Sequence, residues 1–275
     1  MTLPTFLGIG VPRAGTTWLH TLLAGHPDVY LPTRRKEIRF FDRHHERGLT
    51  WYESFFCSPT EAHRYKAIGE ISPQYLYCEE CPERIAAAIP AAKLLIMLRH
   101  PVDRAYSNYG FTIQRGNYRG SFEEFLAARP ETLDRGFYSR HLKRYLRTFD
   151  RDRILPLLFE EVVREGPEAH QVIAGFLDLP VDGFPSSPGR VNASTAPRFP
   201  SLSSMAVKTG RRLRRRHLDP VVDLAGRLGL RRALASGRPL PPLDPESRST
   251  LSHVFEEEFE ELELCMQIDL SPWKN

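Results

Sequence analysis

A short apolar run, Thr5-Phe-Leu-Gly-Ile9, ends at Gly10 and is followed by Val11-Pro-Arg-Ala-Gly-Thr-Thr17. A stripe at helical spacing comes next, Trp18, Leu19, Leu22 and Leu23, closed by Gly25. A strand, a glycine-bracketed loop and a helix in that order restrict the fold more than any other stretch of the chain. Glycines let the loop backbone curl so that successive N–H groups point inward, and the helix N-terminus adds the positive end of its dipole. The segment therefore predicts a phosphate cradle at the carboxyl end of a buried strand. An ordinary glycine-rich turn accounts for the glycines but not for the strand, the two hydroxyls and the helix around them.

The same alternation continues downstream. Pro82 opens a helix with an Ile85, Ala88 and Ile89 stripe, and Lys93-Leu-Leu-Ile-Met-Leu98 follows as a continuous apolar strand. Pro101 opens a further helix, with Val102, Ala105, Tyr106 and Tyr109 at helical spacing, that is expected to end at Gly110. Residues 137–149 read as a helix, 154–159 as a strand and 168–177 as a helix. Strands alternating with helices imply an α/β fold with a central parallel sheet flanked by helices. Residues 181–245 break the rhythm with Pro, Gly, Ser and Arg, and are expected to form a mobile lid or insertion within a single domain spanning 1–275. Asp244-Pro-Glu-Ser247 starts a last helix, whose stripe Leu251, Phe255, Phe259, Leu262 and Met266 should dock on the core.

The chain has 275 residues, 41% hydrophobic and 26% charged, which excludes a mainly disordered or disulfide-scaffold protein. A formal charge of +4 suits anionic ligands without demanding nucleic acid. There is no apolar run of about 18 residues, and the N-terminus lacks a secretory pattern. Four cysteines fit a reducing, cytoplasmic setting. Cys78-Glu-Glu-Cys81 has redox or zinc spacing, but no second pair completes four ligands, so it reads as structural and no metal site is expected.

The loop departs from that of a nucleoside triphosphatase, which needs Lys directly after its second glycine; Thr16 stands there, and the cation is Arg13. The strand Lys93–Leu98 runs into Arg99 rather than a magnesium-binding acid. Magnesium-triphosphate chemistry is disfavoured. One cation in the loop and another at a neighbouring strand end suit a nucleotide with phosphates at two separate positions.

Val11-Pro-Arg-Ala-Gly-Thr-Thr-Trp-Leu19 resembles the 5'-phosphosulfate loop of the sulfotransferases that use 3'-phosphoadenosine 5'-phosphosulfate (PAPS), with Arg13 where Lys is usual. Leu94-Leu-Ile-Met-Leu-Arg-His-Pro-Val-Asp-Arg-Ala-Tyr-Ser-Asn-Tyr109 resembles their 3'-phosphate motif, with Arg99 and Ser107 as its Arg and Ser. Lys36-Glu-Ile-Arg-Phe-Phe-Asp42 resembles the Lys-Glu-x-x-x-Phe-Asp segment of the glycan and heparan sulfate branch, the closest in motif style to this bacterial-type chain. The resemblance implies a P-loop-like sulfotransferase fold and PAPS as donor, with 3',5'-bisphosphoadenosine (PAP) as product and no metal. It implies donor binding by Arg13, Ala14, Gly15, Thr16, Thr17, Trp18, Arg99 and Ser107, with Arg198 on a loop closing over the nucleotide. Glu37 is implied as general base, and Arg13 as the group stabilising the departing nucleotide. Gly69-Glu-Ile-Ser-Pro-Gln-Tyr75 resembles a segment near the acceptor, so Phe40, Glu70 and Tyr75 are candidate substrate contacts, with core packing the alternative for Glu70 and Tyr75. None of the available histidines has the flanks of the branch that uses His as base. Taken alone, Arg99 would pair with Asp103 and Ser107 would pack as a plain hydroxyl.

Arg211-Arg-Leu-Arg-Arg-Arg-His217 is the densest charge run. It reads as a solvated helix face, or as a contact for an anionic substrate or a membrane surface. The acceptor implied is a small molecule, lipid or saccharide bearing a hydroxyl or amine. A nucleoside-triphosphate-dependent phosphotransferase and a non-catalytic nucleotide- or polyanion-binding module are the competing readings.

Overall fold

β1 (Phe6–Gly10), β2 (Val29–Tyr30), β3 (Ala67–Ile71), β4 (Lys93–Leu98) and β5 (Ile154–Leu158) form one parallel sheet in the order β2-β3-β1-β4-β5. A computed structural model of the chain describes residues 2–164, 166–185 and 240–274. Every residue of β1 and β3 is buried, as is β4 from Leu94 onward, which is why these strands read as nearly unbroken apolar runs. Phe6 lies in register with Gly69. A Cβ at Gly69 would sit 2.3 Å from the Phe6 ring, so glycine is required there by the close approach of the two strands.

β2 and β3 are not anticipated by periodicity. β2 is two residues long, and β3 carries Gly69 and Glu70, neither of which belongs to a strand pattern. Their place in the order has a consequence for the site. The chain leaves β1 toward β2 and β3 on one side and returns to β4 and β5 on the other, so the carboxyl end of β1 is a topological switch point, where open α/β sheets bind ligands.

The chain divides into two compact units. The first takes the described residues 2–100, 137–185 and 255–274, and holds the whole sheet. Its helices include Thr16–Ala24, Cys81–Ala88, Tyr138–Leu146, Gly166–Leu177 and Glu256–Met266. The last packs on Tyr138–Leu146, where Glu258 accepts the Ser139 N–H and hydroxyl at 2.7 Å each. Beyond it, Trp273 is buried and its indole N–H donates to Glu160 at 3.0 Å, while the other oxygen of Glu160 accepts the His100 N–H at 3.0 Å. The C-terminal segment thereby ties the ends of β4 and β5 together.

The second unit takes Pro101–Gly136 and, among described residues, 240–254. Its core gathers Ala105, Tyr109, Phe122, Phe125 and Leu126. The helix opened by Pro101 runs through Gly110 to Gln114, because Tyr109 and Thr112 are buried and packing on both sides of the glycine outweighs its roughly 1 kcal/mol penalty. The long C-terminal stripe also divides. Asp244 caps Pro245–His253 by accepting the Ser247 N–H at 2.9 Å, and a break at Val254 and Phe255 precedes Glu256–Met266. Leu251 packs in the core of the second unit, whereas Phe255, Phe259, Leu262 and Met266 are buried in the first. Most of the expected lid, 186–239, lies outside the described residues, and with it Arg198 and the Arg211–His217 run. No described helix is long and apolar enough to cross a membrane.

Candidate active site

The loop after β1 is fastened at its start, where the Val11 N–H donates to the Met97 carbonyl of β4 at 2.8 Å. The Ala14 N–H turns back on the Val11 carbonyl at 3.3 Å, so this member of the expected cradle is used inside the loop. Gly15 has φ 85°, and a Cβ there would lie 2.6 Å from the Phe159 ring. Both conformation and space demand glycine. Arg13 also adopts a left-handed backbone, φ 75°, which for a side chain of its size costs on the order of 1 kcal/mol. The helix Thr16–Ala24 follows with no acidic residue in its first turn. Its first-turn N–H groups have no partner within the helix, and its dipole favours an anion there.

Arg99 leaves the end of β4 toward the same loop. Its Nη1 donates to the Arg13 carbonyl at 3.3 Å, and its guanidinium stacks 4.7 Å from the centre of the Phe159 ring. Tyr138 holds the backbone below it, donating to the Arg99 carbonyl at 2.8 Å. The two cationic motifs of the sequence are thus neighbours at the carboxyl edge of β1 and β4. Ser107 is buried on the Pro101–Gln114 helix of the second unit. Within that unit Asp103 pairs with Arg248 at 3.3 Å.

Glu37 is half-buried on an irregular segment between β2 and β3. What fixes that segment is a polar cluster at the end of β3 that the sequence reading placed beside the acceptor. The Ile38 N–H donates to Glu70 at 3.1 Å, the Arg39 N–H to the Ser72 hydroxyl at 3.0 Å, and the Phe40 N–H to the Tyr75 hydroxyl at 2.8 Å. The Glu70 carboxylate also accepts from Tyr75 (2.6 Å), Ser72 (2.7 Å) and Tyr52 (2.9 Å). Burial raises the Glu70 carboxyl above the usual carboxylate range, with these hydrogen bonds opposing. Burial and the adjacent carboxylate together drive the Tyr52 and Tyr75 phenols well up. Phe40, Glu70 and Tyr75 are 1%, 0% and 0% exposed, and the polar groups of Glu70 and Tyr75 engage the protein's own backbone and side chains. Phe40 stacks on Tyr52 at 4.5 Å.

Lys36, marked in the sequence only as the neighbour of Glu37, reaches the phosphate loop: its Nζ donates to Thr17 Oγ1 at 2.7 Å. One turn along the helix, burial and the positive charge of Lys36 push His20 down to about 4, leaving a neutral and weakly basic imidazole. Trp18 is half-buried and stacks on His170 at 6.3 Å. Cys78 is half-exposed and Cys81 buried, both as free thiols. Among the described residues, no cluster of three His, Cys, Asp or Glu side chains is placed to hold a metal ion.

A family model described as a sulfotransferase domain matches residues 3–263. The human bifunctional heparan sulfate N-deacetylase/N-sulfotransferase 3 is 29% identical over 281 residues, covering 94% of this chain and 29% of that protein. The membrane-associated sulfotransferase kil1 of Dictyostelium discoideum is 37% identical over 112 residues, 41% of this chain and 24% of that protein. A solved sulfotransferase from Alicyclobacillus acidocaldarius superposes with a TM-score of 0.73 at 25% identity, covering 100% of both chains. This chain spans less than a third of the length of these two curated relatives.

Proposed function

We propose, from the premise that this chain belongs to the sulfotransferase-domain family and is a sulfuryl-transferring enzyme, that PAPS is its donor and Glu37 its general base. The observation that carries the reading is the contact of Arg99 with the loop of Arg13, which puts two guanidinium-bearing motifs at one switch point. The donor set of the first unit fits a doubly phosphorylated nucleotide: the first turn at Thr16 and Thr17 for the 5'-phosphate, Arg13 beside it, and Arg99 for the 3'-phosphate, to which the resemblance of its motif also assigns Ser107. Trp18 offers an aromatic face.

Glu37 takes the proton of the acceptor hydroxyl or amine as that atom attacks sulfur. Arg13 and the helix N-terminus stabilise charge on the departing phosphate oxygen. Every step uses side chains of this protein, so transfer is expected to proceed with chelator present. Heparan sulfate and N-sulfation stand in the name of the human relative; for this chain a saccharide hydroxyl or amine is the acceptor class to try first, ahead of lipids and other small molecules.

Incubation with PAPS and a panel of acceptor classes, read by mass gain of one sulfuryl group, tests the activity. Glu37→Gln should retain PAP binding and lower turnover by about 10²-fold or more. Near-normal turnover in that variant removes Glu37 from the role, and ATP consumption with magnesium dependence refutes the donor assignment.

A further inference from the structure

Lys36 joins the two halves of the candidate site. It precedes the proposed base, Glu37, and its side chain crosses to the phosphate loop, where Nζ donates to the Thr17 hydroxyl at 2.7 Å. An ammonium carries three donors, and that bond uses one. The side chain is half-buried, and burial lowers its basicity while Glu37 raises it. Among the described residues no carboxylate forms an ion pair with it directly. A partly desolvated cation without a hydrogen-bonded anion is a costly arrangement unless a ligand completes it.

The backbone that carries Lys36 is held two residues on, where Ile38, Arg39 and Phe40 donate to Glu70, Ser72 and Tyr75. The ammonium is therefore anchored at its tip by Thr17 and near its root by the β3 cluster, the preorganisation expected of a group that meets charge developing in a transition state. Arg13 supplies a planar fork, suited to bidentate phosphate binding; Lys36 supplies a compact point charge. His20, the nearest further titratable group on the helix, is kept neutral and adds no competing charge.

We infer that Lys36 is a donor-binding catalytic residue, whose ammonium, seated on Thr17, contacts the sulfuryl oxygens of PAPS during transfer. The inference rests on the proposed donor. In the step, a bond forms from the acceptor oxygen or nitrogen to sulfur as the bond from sulfur to the bridging oxygen breaks. The electron pair stays on that oxygen, now part of the 5'-phosphate of PAP, and the acceptor proton passes to Glu37. Lys36 keeps its three protons throughout and offsets charge on the non-bridging sulfuryl oxygens.

PAP and PAPS differ by the sulfuryl group, so their affinities separate this role from a purely structural one. By calorimetry without acceptor, Lys36→Met should bind PAP within about threefold of wild type and PAPS at least about tenfold more weakly, with kcat lowered about 10²-fold. Lys36→Gln keeps a hydrogen-bond donor for the Thr17 hydroxyl but removes the charge, and should show the same PAPS-selective loss with lowered kcat. Equal weakening of PAP and PAPS would make Lys36 a scaffold for the loop and overturn the assignment, as would unchanged PAPS affinity and turnover. If Lys36→Met does not fold, as judged by circular dichroism, the Lys36→Gln comparison decides by the same criterion. Wild-type protein that binds neither nucleotide overturns the donor reading itself, a failure visible before any variant is made.

Discussion

Removing one oxygen atom, by Tyr75→Phe, tests whether the β3 cluster is what holds the Glu37 segment. In the folded chain that oxygen accepts the Phe40 N–H at 2.8 Å and, at the longer distance of 3.4 Å, the Phe41 N–H, donates to Glu70 at 2.6 Å, and its residue is 0% exposed. The variant leaves a buried backbone N–H without its acceptor, which costs about 1–3 kcal/mol, and removes one of four hydrogen bonds on a buried carboxylate, worth about 1.5–3 kcal/mol. Glu70 keeps Tyr52, Ser72 and the Ile38 N–H, and its raised carboxyl can take up a proton, so the second loss is partly recovered. A net loss of about 2–4 kcal/mol is expected, measured as a lower urea midpoint at unchanged slope. Native-state exchange of the Phe40 amide should accelerate about 30-fold or more, the equivalent of about 2 kcal/mol. Turnover should fall while PAP affinity stays near wild type, because the phosphate loop does not rest on Tyr75. A stability loss below about 1 kcal/mol, or an unchanged Phe40 exchange rate, refutes the reasoning.

Two further outcomes follow from the loop and its helix. Arg99→Ala removes a guanidinium from the proposed 3'-phosphate position and should weaken PAP binding by about 10–100-fold, the worth of one charge-assisted hydrogen-bonding group, with a smaller effect on turnover at saturating donor; equal PAP affinity by calorimetry would refute that position. His20 is pushed down to about 4 in the folded chain against 6.5 unfolded, so the unfolded state binds more protons between those values and stability falls as pH drops from about 6.5 to 4. His20→Gln should flatten that part of the pH profile in urea titrations, and parallel profiles would sink the claim.

The strand, loop and helix on which the donor proposal rests were legible because they are local. Strand, loop and helix are contiguous between Phe6 and Ala24, and each carries its own signal: an apolar run, a glycine with φ 85°, and a helical stripe. Arg99 was legible for the same reason, as the residue at which the apolar run of β4 stops. The way the Glu37 backbone is held was not, because it is made by contacts across 32 to 35 residues of sequence, from Ile38 to Glu70 and from Phe40 to Tyr75. Glu70 on a strand with Gly69 reads as a break in a strand pattern, yet tertiary packing overrides propensity there: Phe6 fills the space over Gly69, and four donors satisfy Glu70. The division at Val254 and Phe255 escaped for a related reason. A stripe at helical spacing reports which residues are apolar, not that they serve the same core.

The strand order explains why the two halves differ in this way and what that means for catalysis. β1 is flanked by β3 on one side and β4 on the other, so two independent structures converge on the end that carries the phosphate loop. β4 delivers Arg99 to the Arg13 carbonyl, and the end of β3 delivers Glu70, Ser72 and Tyr75 to the backbone behind Glu37. On the proposed roles of Arg99 and Glu37, donor affinity is set mainly from the β4 side and proton removal mainly from the β3 side, with Lys36 on Thr17 as the described side-chain link between them. Substitutions at the end of β4 should therefore act on donor binding and those at the end of β3 on turnover. A chain in which Arg99→Ala lowered turnover alone, or Tyr75→Phe weakened PAP alone, would have its functional halves assigned to the wrong strands.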